Sequence, residues 1–402
     1  MPETGKNIAI FCDGTWQHLN QRNPTNVGRL ARAVRAATAG GNTQFVYYDD
    51  GVGVGQGVAE VTTRLVGGVT GKGLDRKIAR AYEILSLNYN PGDRVFIFGF
   101  SRGAYTARSL AGLLRNLWIL KRNDANLVHE ATALYRNRPH EGASEATKAA
   151  FQTTLTQFRA DHCHPETPFV EGKTYDPANS NSLSPTNRCA WIQYLGVWDT
   201  VGSLGVPRKV PFAALWDAKY QFHDTTLSRF VRSARHAVSI DERRNSFAPA
   251  LWDNIGALNQ NAHANDLAYA NRPYQQVWFP GGHGCVGGGS ADGGVSLPAL
   301  LWIAEGAARA GLAFDEYELA RYSQEACPDA DFPKDKFGIG DLVIKLNGST
   351  DRPGPDTADE VSLSARLRWA RLSSYRPHPL RRLAGDLEAW RPPGEPHVYY
   401  AP

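Results

Sequence analysis

Residues 94–108, RVFIFGFSRGAYTAR, join an apolar β-rich run to a helical pattern, with Gly99, Ser101 and Gly103 in the spacing G-x-S-x-G. A serine on a sharp strand-to-helix turn leaves room only for small residues two positions before and after it. Such a turn exposes the serine hydroxyl and sets the Arg102 N–H at a helix N-terminus, where an oxyanion is stabilised. The pattern predicts an esterase-type serine nucleophile. An ordinary strand–turn–helix with a capping serine is the alternative.

Short apolar runs alternate with helical patterns on both sides of this stretch. The sequence predicts strands at residues 8–11, 45–48, 191–198, 276–279 and 341–346, and helices at residues 27–37, 74–89, 104–118, 227–240 and 298–310. Near-continuous apolar strands that alternate with helices are typical of a parallel sheet buried on both sides. We therefore expect an α/β fold, with a mostly parallel central sheet and helices on both faces.

The composition is that of an ordinary globular protein and disfavours several kinds of partner. Of the 402 residues, 42% are hydrophobic and 21% are charged, and the net charge is +4. That excess is too small to favour nucleic acid, and no basic run alternates with aromatic residues. The glycine-rich stretches at residues 51–57 and 71–73 match neither the dinucleotide nor the P-loop pattern, so no nucleotide cofactor is expected.

The N-terminus and the cysteines favour a cytoplasmic protein. No basic segment followed by an apolar run marks a signal peptide, although leaderless secretion would leave no such trace. No stretch approaches the roughly 18 uninterrupted apolar residues of a membrane span. The 5 cysteines have no regular spacing and fit reduced thiols. His162, Cys163 and His164 lack a second ligand pair, so no metal is expected.

A serine hydroxyl becomes a nucleophile when an imidazole takes its proton and a carboxylate orients that imidazole. In a hydrolase of this kind the chain order is serine, acid, histidine, each following a strand. Asp199 directly follows the strand predicted at residues 191–198, and His283 follows the last predicted core strand in a glycine-rich loop. The sequence therefore predicts Ser101, Asp199 and His283 as a triad that cleaves carboxylic esters through an acyl-enzyme.

Other acidic residues and histidines compete for these roles. The rivals are Asp13, Asp241, Asp292, His18 and His236. We expect His236 to be a core residue on an apolar helix face. Asp13 ends the first predicted strand, so it and the N–H groups of Gly14 and Thr15 are predicted to bind the oxyanion or position the substrate, together with the Arg102 N–H. A plain strand-end turn is the alternative for Asp13.

Six sequence blocks together resemble a known family. They are FCDGTW (11–16), YYDDGVGVG (47–55), GDRVFIFGFSRGAYTAR (92–108), GVWDTVGSLG (196–205), RHAVSIDERR (235–244) and WFPGGHGCVGGG (278–289). In this order they are similar to an α/β-hydrolase family that includes the lipase effectors of bacterial type VI secretion. The resemblance spans residues 7–305 and implies an α/β-hydrolase core, ester hydrolysis, and phospholipase activity in the effector branch. It also implies Ser101 as nucleophile, His283 as base and Asp199 as acid.

The last block departs from the family pattern. The family usually has H-x-D-V-G-G-G followed by an aromatic residue, whereas Cys285 stands at the aspartate position and Ser290 at the aromatic position. A thiol is uncharged at neutral pH and cannot replace a carboxylate as a partner. This departure keeps open a second hypothesis, a non-catalytic binding or scaffold protein on a hydrolase fold.

The remaining segments are predicted to surround the core. We expect a catalytic domain at residues 1–326, with cap or insertion segments at residues 121–190 and 203–226, and an extension at residues 327–402. An aromatic cluster at residues 212–222 is expected either to pack in the core or to line a lipid groove. The expected partners are an ester or lipid substrate and a membrane, which the protein would contact peripherally. The sequence does not predict an oligomeric state.

Overall fold

The computed structural model describes residues 5–14, 17–51, 71–140, 142–164, 192–202, 226–290, 293–333 and 348–394. The strands in these ranges are β1 (Asn7–Cys12), β2 (Gln44–Asp49), β3 (Arg94–Phe100), β4 (Ile192–Trp198), β5 (Ala234–Ser239) and β6 (Tyr274–Phe279). Every pairing between them is parallel, and the order across the sheet is β2-β1-β3-β4-β5-β6.

The helices lie between and after the strands. They are α1 (Asn26–Ala33), α2 (Gly71–Asn88), α3 (Arg102–Leu117), α4 (Val128–Arg136), α5 (Glu145–His162), α6 (Ile255–Asn261), α7 (His283–Gly287), α8 (Leu297–Arg309), α9 (Glu316–Glu325), α10 (Leu363–Arg371) and α11 (Ala384–Ala389). Short 3₁₀ turns, such as Asn245–Phe247 and Tyr269–Asn271, connect some of them. Among these helices, none is long and apolar enough to cross a lipid bilayer.

Helices cover both faces of the sheet, as the sequence predicts. Along β3, Val95 and Ile97 face one core, which α2, α3, α4 and α5 cover. Phe96 and Phe98 face the other core, which α1, α8 and α9 cover. The protein is therefore an α/β fold with a parallel central sheet. α4 and α5 occupy part of the segment that the sequence predicts as a cap, and residues 165–191 and 203–225 lie outside the described residues.

The helix predicted over residues 227–240 is wrong, because the chain forms β5 there. Leu227, Phe230, Val231 and Ala234 have helical spacing, and all four are buried. From Ala234 onward, however, the backbone pairs with β4 on one side and β6 on the other. A strand that is buried on both faces loses the alternation of apolar and polar residues, so apolar spacing alone does not distinguish it from a helix.

The strand order reverses between β1 and β3. The chain passes from β1 to β2 on one side, and then crosses to β3 on the other side of β1. Connections that leave neighbouring strands in opposite directions open a crevice at the carboxyl ends of those strands, where ligands bind in α/β folds. Asp13 follows β1 and Ser101 follows β3, so both residues lie at this crevice.

The outer edge of β6 is closed by side chains. The Asn259 amide bonds both backbone groups of Tyr274, at 3.2 Å to its N–H and 2.9 Å to its carbonyl oxygen. The Tyr269 hydroxyl bonds both backbone groups of Gln276, each at 3.0 Å. Backbone groups that face away from the sheet are therefore satisfied without another strand.

The segment at residues 348–394 packs on the β5 and β6 side of the sheet. Its Trp369 and Leu380 share a third apolar core with Val238 of β5 and Trp278 of β6. The backbone also joins the sheet, because the Ser362 N–H donates to the Trp278 carbonyl at 3.0 Å. Burial of these apolar side chains attaches the segment to the central sheet. The strand predicted at residues 341–346 lies outside the described residues.

Candidate active site

Ser101 lies on the turn between β3 and α3 in a strained backbone conformation. Its φ is 58° and its ψ is −122°, in a region that residues other than glycine rarely adopt. A Cβ atom on Gly99 would overlap the Gly103 carbonyl, and one on Gly103 would overlap the Cys12 carbonyl. Both positions of the G-x-S-x-G spacing therefore require glycine for close backbone approach.

His283 is the first residue of α7, and its ring lies between two other side chains of the site. Its Nε2 is 2.8 Å from Ser101 Oγ, and its Nδ1 is 2.6 Å from Asp199 Oδ2. All three residues are buried. With a proton on Nδ1, the ring donates to the carboxylate and accepts from the hydroxyl. The structure thus brings together the three side chains that the sequence predicts as a triad.

Two aromatic rings flank the imidazole. The ring centroids of Phe100 and Phe247 lie 4.7 Å and 4.6 Å from that of His283. The Arg244 guanidinium lies over Phe247, 4.3 Å from its centroid. Apolar surfaces on the ring restrict its orientation and strengthen its hydrogen bonds by excluding water.

Asp199 is fully buried and held from several directions. Its N–H donates to the Ala237 carbonyl at 2.7 Å, and its Oδ1 accepts from the Ser239 N–H at 2.8 Å. Arg352 donates from Nη1 to Oδ1 at 2.6 Å and from Nη2 to Oδ2 at 3.0 Å. Burial on its own would raise the pKa of Asp199. The Arg352 guanidinium, together with His283, outweighs burial and holds that pKa well below its usual range.

Glu242 fixes the backbone at the start of α7. Its Oε2 accepts from the His283 N–H at 3.1 Å. Its own N–H donates to Ser239 Oγ at 3.1 Å, and Arg244 Nη2 lies 2.6 Å from Oε2. Burial would raise the pKa of Glu242, but its bonds to Arg244 lower the pKa overall. An ionised Glu242 thus anchors the peptide that carries the candidate base.

The rival carboxylate Asp241 binds the backbone of the loop that precedes His283. It accepts from the Gly281 N–H at 2.6 Å and from the Tyr375 hydroxyl at 2.9 Å. Burial raises the pKa of Asp241. Asp292 lies outside the described residues.

His236 lies in the core, as expected, although on strand β5 and not on a helix. Its Nδ1 is 3.0 Å from Gln276 Oε1, and its Nε2 accepts from the Thr200 N–H at 3.2 Å. Burial lowers the pKa of His236 to about 3, so the ring is neutral at ordinary pH. The rival histidine His18 is partly exposed in the loop after β1.

Asp13 links the carboxyl end of β1 to its neighbours. Its carboxylate accepts from the Gly14 N–H at 2.6 Å, from Thr25 Oγ1 at 2.6 Å and from the Tyr48 hydroxyl. Burial raises its pKa. The Gly14 N–H, predicted as an oxyanion donor, is bonded to Asp13 in this structure. Thr15, the other predicted donor of this loop, lies outside the described residues.

Arg102 is the first residue of α3, directly after Ser101. The first N–H groups of a helix have no partner within that helix, and the Arg102 N–H is one of these groups. Burial lowers the pKa of the Arg102 guanidinium to about 10, so the side chain is still a cation at neutral pH.

The sequence predicts no role for two side chains at the site, Glu242 and Arg352. Glu242 lies in the block at residues 235–244, and that block is the signal that points to it. Cys285 stands at the family's aspartate position, and both nitrogens of His283 have partners in Asp199 and Ser101. In the described part of the chain, no group of three or more His, Cys, Asp or Glu residues could hold a metal.

A cavity of ≈ 710 Å³ lies away from Ser101, between α8, β6 and the segment after residue 348. Tyr269, Phe279, Trp302 and Trp390 contribute aromatic surface to it. Neither the serine nor His283 lines this cavity, so it is separate from the hydrogen-bonded trio.

The comparison with known families places the chain. A family model described as the catalytic domain of the type VI secretion phospholipase effector Tle1-like proteins matches residues 6–306. The chain belongs to the Tle1-like family. Membership of this family supports a hydrolase of the lipase or phospholipase type, in agreement with the resemblance found in the six sequence blocks.

The individual relatives share between 17% and 28% sequence identity with this chain. The Tle1-like chain is 28% identical over 254 residues to the uncharacterized protein YEL023C of Saccharomyces cerevisiae, a match that covers 61% of this chain and 32% of that protein. A crystal structure of an uncharacterized Pseudomonas aeruginosa protein is 17% identical, with a TM-score of 0.40, and covers 86% of this chain and 53% of that one. A Tle1 effector bound to the VgrG spike of a type VI secretion system is also 17% identical, with a TM-score of 0.32, and covers 73% of this chain and 53% of that one. The Tle1-like chain thus spans about a third to a half of these relatives.

Proposed function

We propose that this Tle1-like chain hydrolyses carboxylic esters of lipids through a covalent acyl-enzyme on Ser101. The proposal rests on one observation, the hydrogen bonds of 2.8 Å from His283 to Ser101 and of 2.6 Å from His283 to Asp199. A hydroxyl bonded to an imidazole whose other nitrogen faces an ionised carboxylate is the arrangement that acyl transfer requires. The family supports lipid esters as the substrate class.

In the first step Ser101 Oγ attacks the ester carbonyl carbon while its proton passes to His283 Nε2. Asp199 stays ionised and stabilises the imidazolium, because its pKa is held far below neutrality. The Arg102 N–H donates to the oxyanion of the tetrahedral intermediate. A second donor from the loop after β1 completes the site, and for Gly14 this requires its bond to Asp13 to open.

In the second half of the reaction the carbon–oxygen bond to the alcohol breaks, and His283 returns the proton to the leaving oxygen. Water then attacks the acyl group on Ser101, with His283 again as the base, and the carboxylic acid is released. Proton transfer in both directions needs a ring that is neutral at rest and fixed in orientation. The Asp199 carboxylate and the two flanking phenylalanine rings serve this need.

A fluorophosphonate probe tests the nucleophile, because it phosphonylates only an activated serine. We expect labelling of the wild type and of Ser109→Ala, a matched control that removes another buried serine of α3, and no labelling of Ser101→Ala. Labelling that persists in Ser101→Ala would refute the assignment. A wild type that stays unlabelled would instead support the scaffold hypothesis.

Hydrolysis of phosphatidylglycerol vesicles, compared with that of soluble p-nitrophenyl butyrate, tests the substrate class. We expect the protein to release fatty acid from the vesicles, a reaction that requires it to contact the membrane surface. Activity on the soluble ester alone would reduce the proposal to an esterase that does not act on lipids.

A further inference from the structure

Arg352 reaches the candidate acid from outside the region that the family model matches, residues 6–306. The residue is 6% exposed, and two of its side-chain nitrogens each make two hydrogen bonds. Nη1 donates to Asp199 Oδ1 at 2.6 Å and to the Ser239 carbonyl at 2.9 Å. Nη2 donates to Asp199 Oδ2 at 3.0 Å and to the Phe247 carbonyl at 2.7 Å.

We propose that Arg352 is a positioning residue for Asp199, and that the segment at residues 348–394 thereby completes the active site of this chain. The proposal rests on the function proposed above, in which Asp199 orients His283. It assigns to the C-terminal segment a part in the chemistry that the matched catalytic region alone does not contain.

The geometry is that of a clamp. A guanidinium that binds both oxygens of one carboxylate fixes the rotation of that carboxylate, since each oxygen has its own donor. The carbonyls of Ser239 and Phe247 fix the guanidinium in turn. Oδ2 of Asp199 is therefore held where it meets His283 Nδ1. Lysine carries the same charge but cannot supply two fixed, parallel donors.

The charge of Arg352 acts on the same atoms. Arg352 Nη2 and His283 Nδ1 bind the same oxygen of Asp199, so the guanidinium lies close to the imidazole. A nearby positive charge disfavours a second one on the ring. Replacing Arg352 with a neutral residue removes this nearby charge, while Asp199 and its bond to the ring remain.

Two other titratable groups near the ring, Glu242 and His236, are compensated or neutral. Glu242 faces the His283 N–H and is paired with Arg244. His236, on β5 beside Asp199, is neutral at ordinary pH. On the remaining side the ring meets the uncharged hydroxyl of Ser101. Among the described residues, the guanidinium of Arg352 is the cation of a lysine or arginine side chain that bonds Asp199 directly.

A purely structural arginine is the competing explanation, and the chain offers a matched control for it. Arg368 belongs to the same segment and is also 6% exposed. Its Nη1 donates to the carbonyls of Pro328 and Ala330, each at 2.7 Å, and its guanidinium lies 4.0 Å from the Phe332 centroid. Arg368→Gln thus removes a buried arginine of this segment without removing a contact to Asp199.

The experiment uses the full chain as wild type, Arg352→Gln, Arg352→Lys and Arg368→Gln. One measurement is the pH dependence of kcat and KM on p-nitrophenyl butyrate, and the other is the pH titration of the His283 ring by ¹⁵N NMR. For Arg352→Gln we expect the midpoint of the acid limb, and that of the ring titration, to rise by about one pH unit. For Arg352→Lys we expect a roughly ten- to hundredfold lower kcat with KM unchanged and a midpoint near that of the wild type.

Arg368→Gln should lower the melting temperature and leave both midpoints unchanged. If Arg352→Gln behaves in the same way, or if Arg352→Lys keeps the wild-type kcat, the positioning role is refuted. If Arg352→Gln does not fold, the kcat of Arg352→Lys decides. Failure of the proposed function is a separate outcome, because the wild type would then resist the fluorophosphonate probe while the ring titration still reports on Arg352.

Discussion

The region at residues 6–306 and the segment at residues 348–394 both contribute side chains around Asp199, and they position these side chains by different means. The first region brings Ser101 and His283 to the site on short turns at the carboxyl ends of parallel strands, so the sheet topology sets them side by side. The second brings Arg352 across 153 positions of sequence through side-chain packing. The ends of strands thus position Ser101 and His283, whereas side-chain packing positions the charge of Arg352 beside Asp199.

The largest expected effect is at the residue where the two regions meet. Asp199→Asn should lower kcat/KM by about 10⁴-fold, because the ring loses the partner that fixes its tautomer. It also leaves Arg352 as a buried charge without its carboxylate, which should cost about 3–5 kcal/mol of unfolding free energy. Ester hydrolysis and urea denaturation measure the two effects. Asp253→Asn, at an exposed position, is the control, and a loss below tenfold in Asp199→Asn would contradict the assigned role.

A second substitution asks whether the two regions unfold together. Trp369→Ala removes a side chain from the third core and should lower the free energy of unfolding by about 3–5 kcal/mol. Because that core includes Trp278 of β6, we expect circular dichroism and ester hydrolysis to be lost at one urea midpoint. Glu388→Ala, which is exposed, should leave the midpoint unchanged. Two separate transitions would show that the segment unfolds apart from the sheet.

A pair of glycines tests how strictly the turn at Ser101 is defined. An added Cβ on Gly103 would overlap the Cys12 carbonyl, so Gly103→Ala should destabilise the protein by about 3 kcal/mol. At Gly256, in α6, nothing lies within 4 Å of an added Cβ. Gly256→Ala should therefore stabilise the helix by up to about 1 kcal/mol. Equal thermal shifts for the two variants would show that the turn adapts to a side chain.

The smallest expected effect is the contribution of the buried His236 to the pH dependence of the free energy of unfolding. Because burial lowers the pKa of His236 from 6.5 to about 3, the unfolded chain binds a proton between these values and the native state does not. The free energy of unfolding should therefore fall with decreasing pH below about 6.5, by about 1.4 kcal/mol per unit from this residue. Urea titrations at pH 7 and pH 5 should show a smaller loss for His236→Gln than for the wild type. His129→Gln, which is exposed, should lose as much as the wild type.

The sequence predicts the site best where local geometry decides it. Ser101 is recognisable because crowding at its turn requires glycine on both sides. Asp199 is a candidate because it directly follows a buried strand, and His283 because it lies in the short glycine-rich loop after another. Their catalytic roles stay predictions. The apolar spacing of residues 227–240 predicts a helix where the chain forms β5, because both faces of that strand are buried.

Arg352 could not be identified in this way, since it is one of 44 lysines and arginines and no motif surrounds it. Its role depends on which carboxylate it meets after folding, and that depends on how the third core packs. Burial of a charge is a property of tertiary structure, and a single sequence carries no local pattern for it.

The side chains that close β6 also limit what can be added to this molecule. An exposed strand edge is a template on which a foreign extended chain, or a second copy, can continue the hydrogen-bond ladder. Along β6, the side chains of Asn259 and Tyr269 already occupy the backbone groups of Tyr274 and Gln276 that an added strand would bind. An added strand would have to displace both side chains before it could form backbone hydrogen bonds with β6 at these residues. Extension of the sheet at this edge is therefore blocked, which protects the fold against aggregation there.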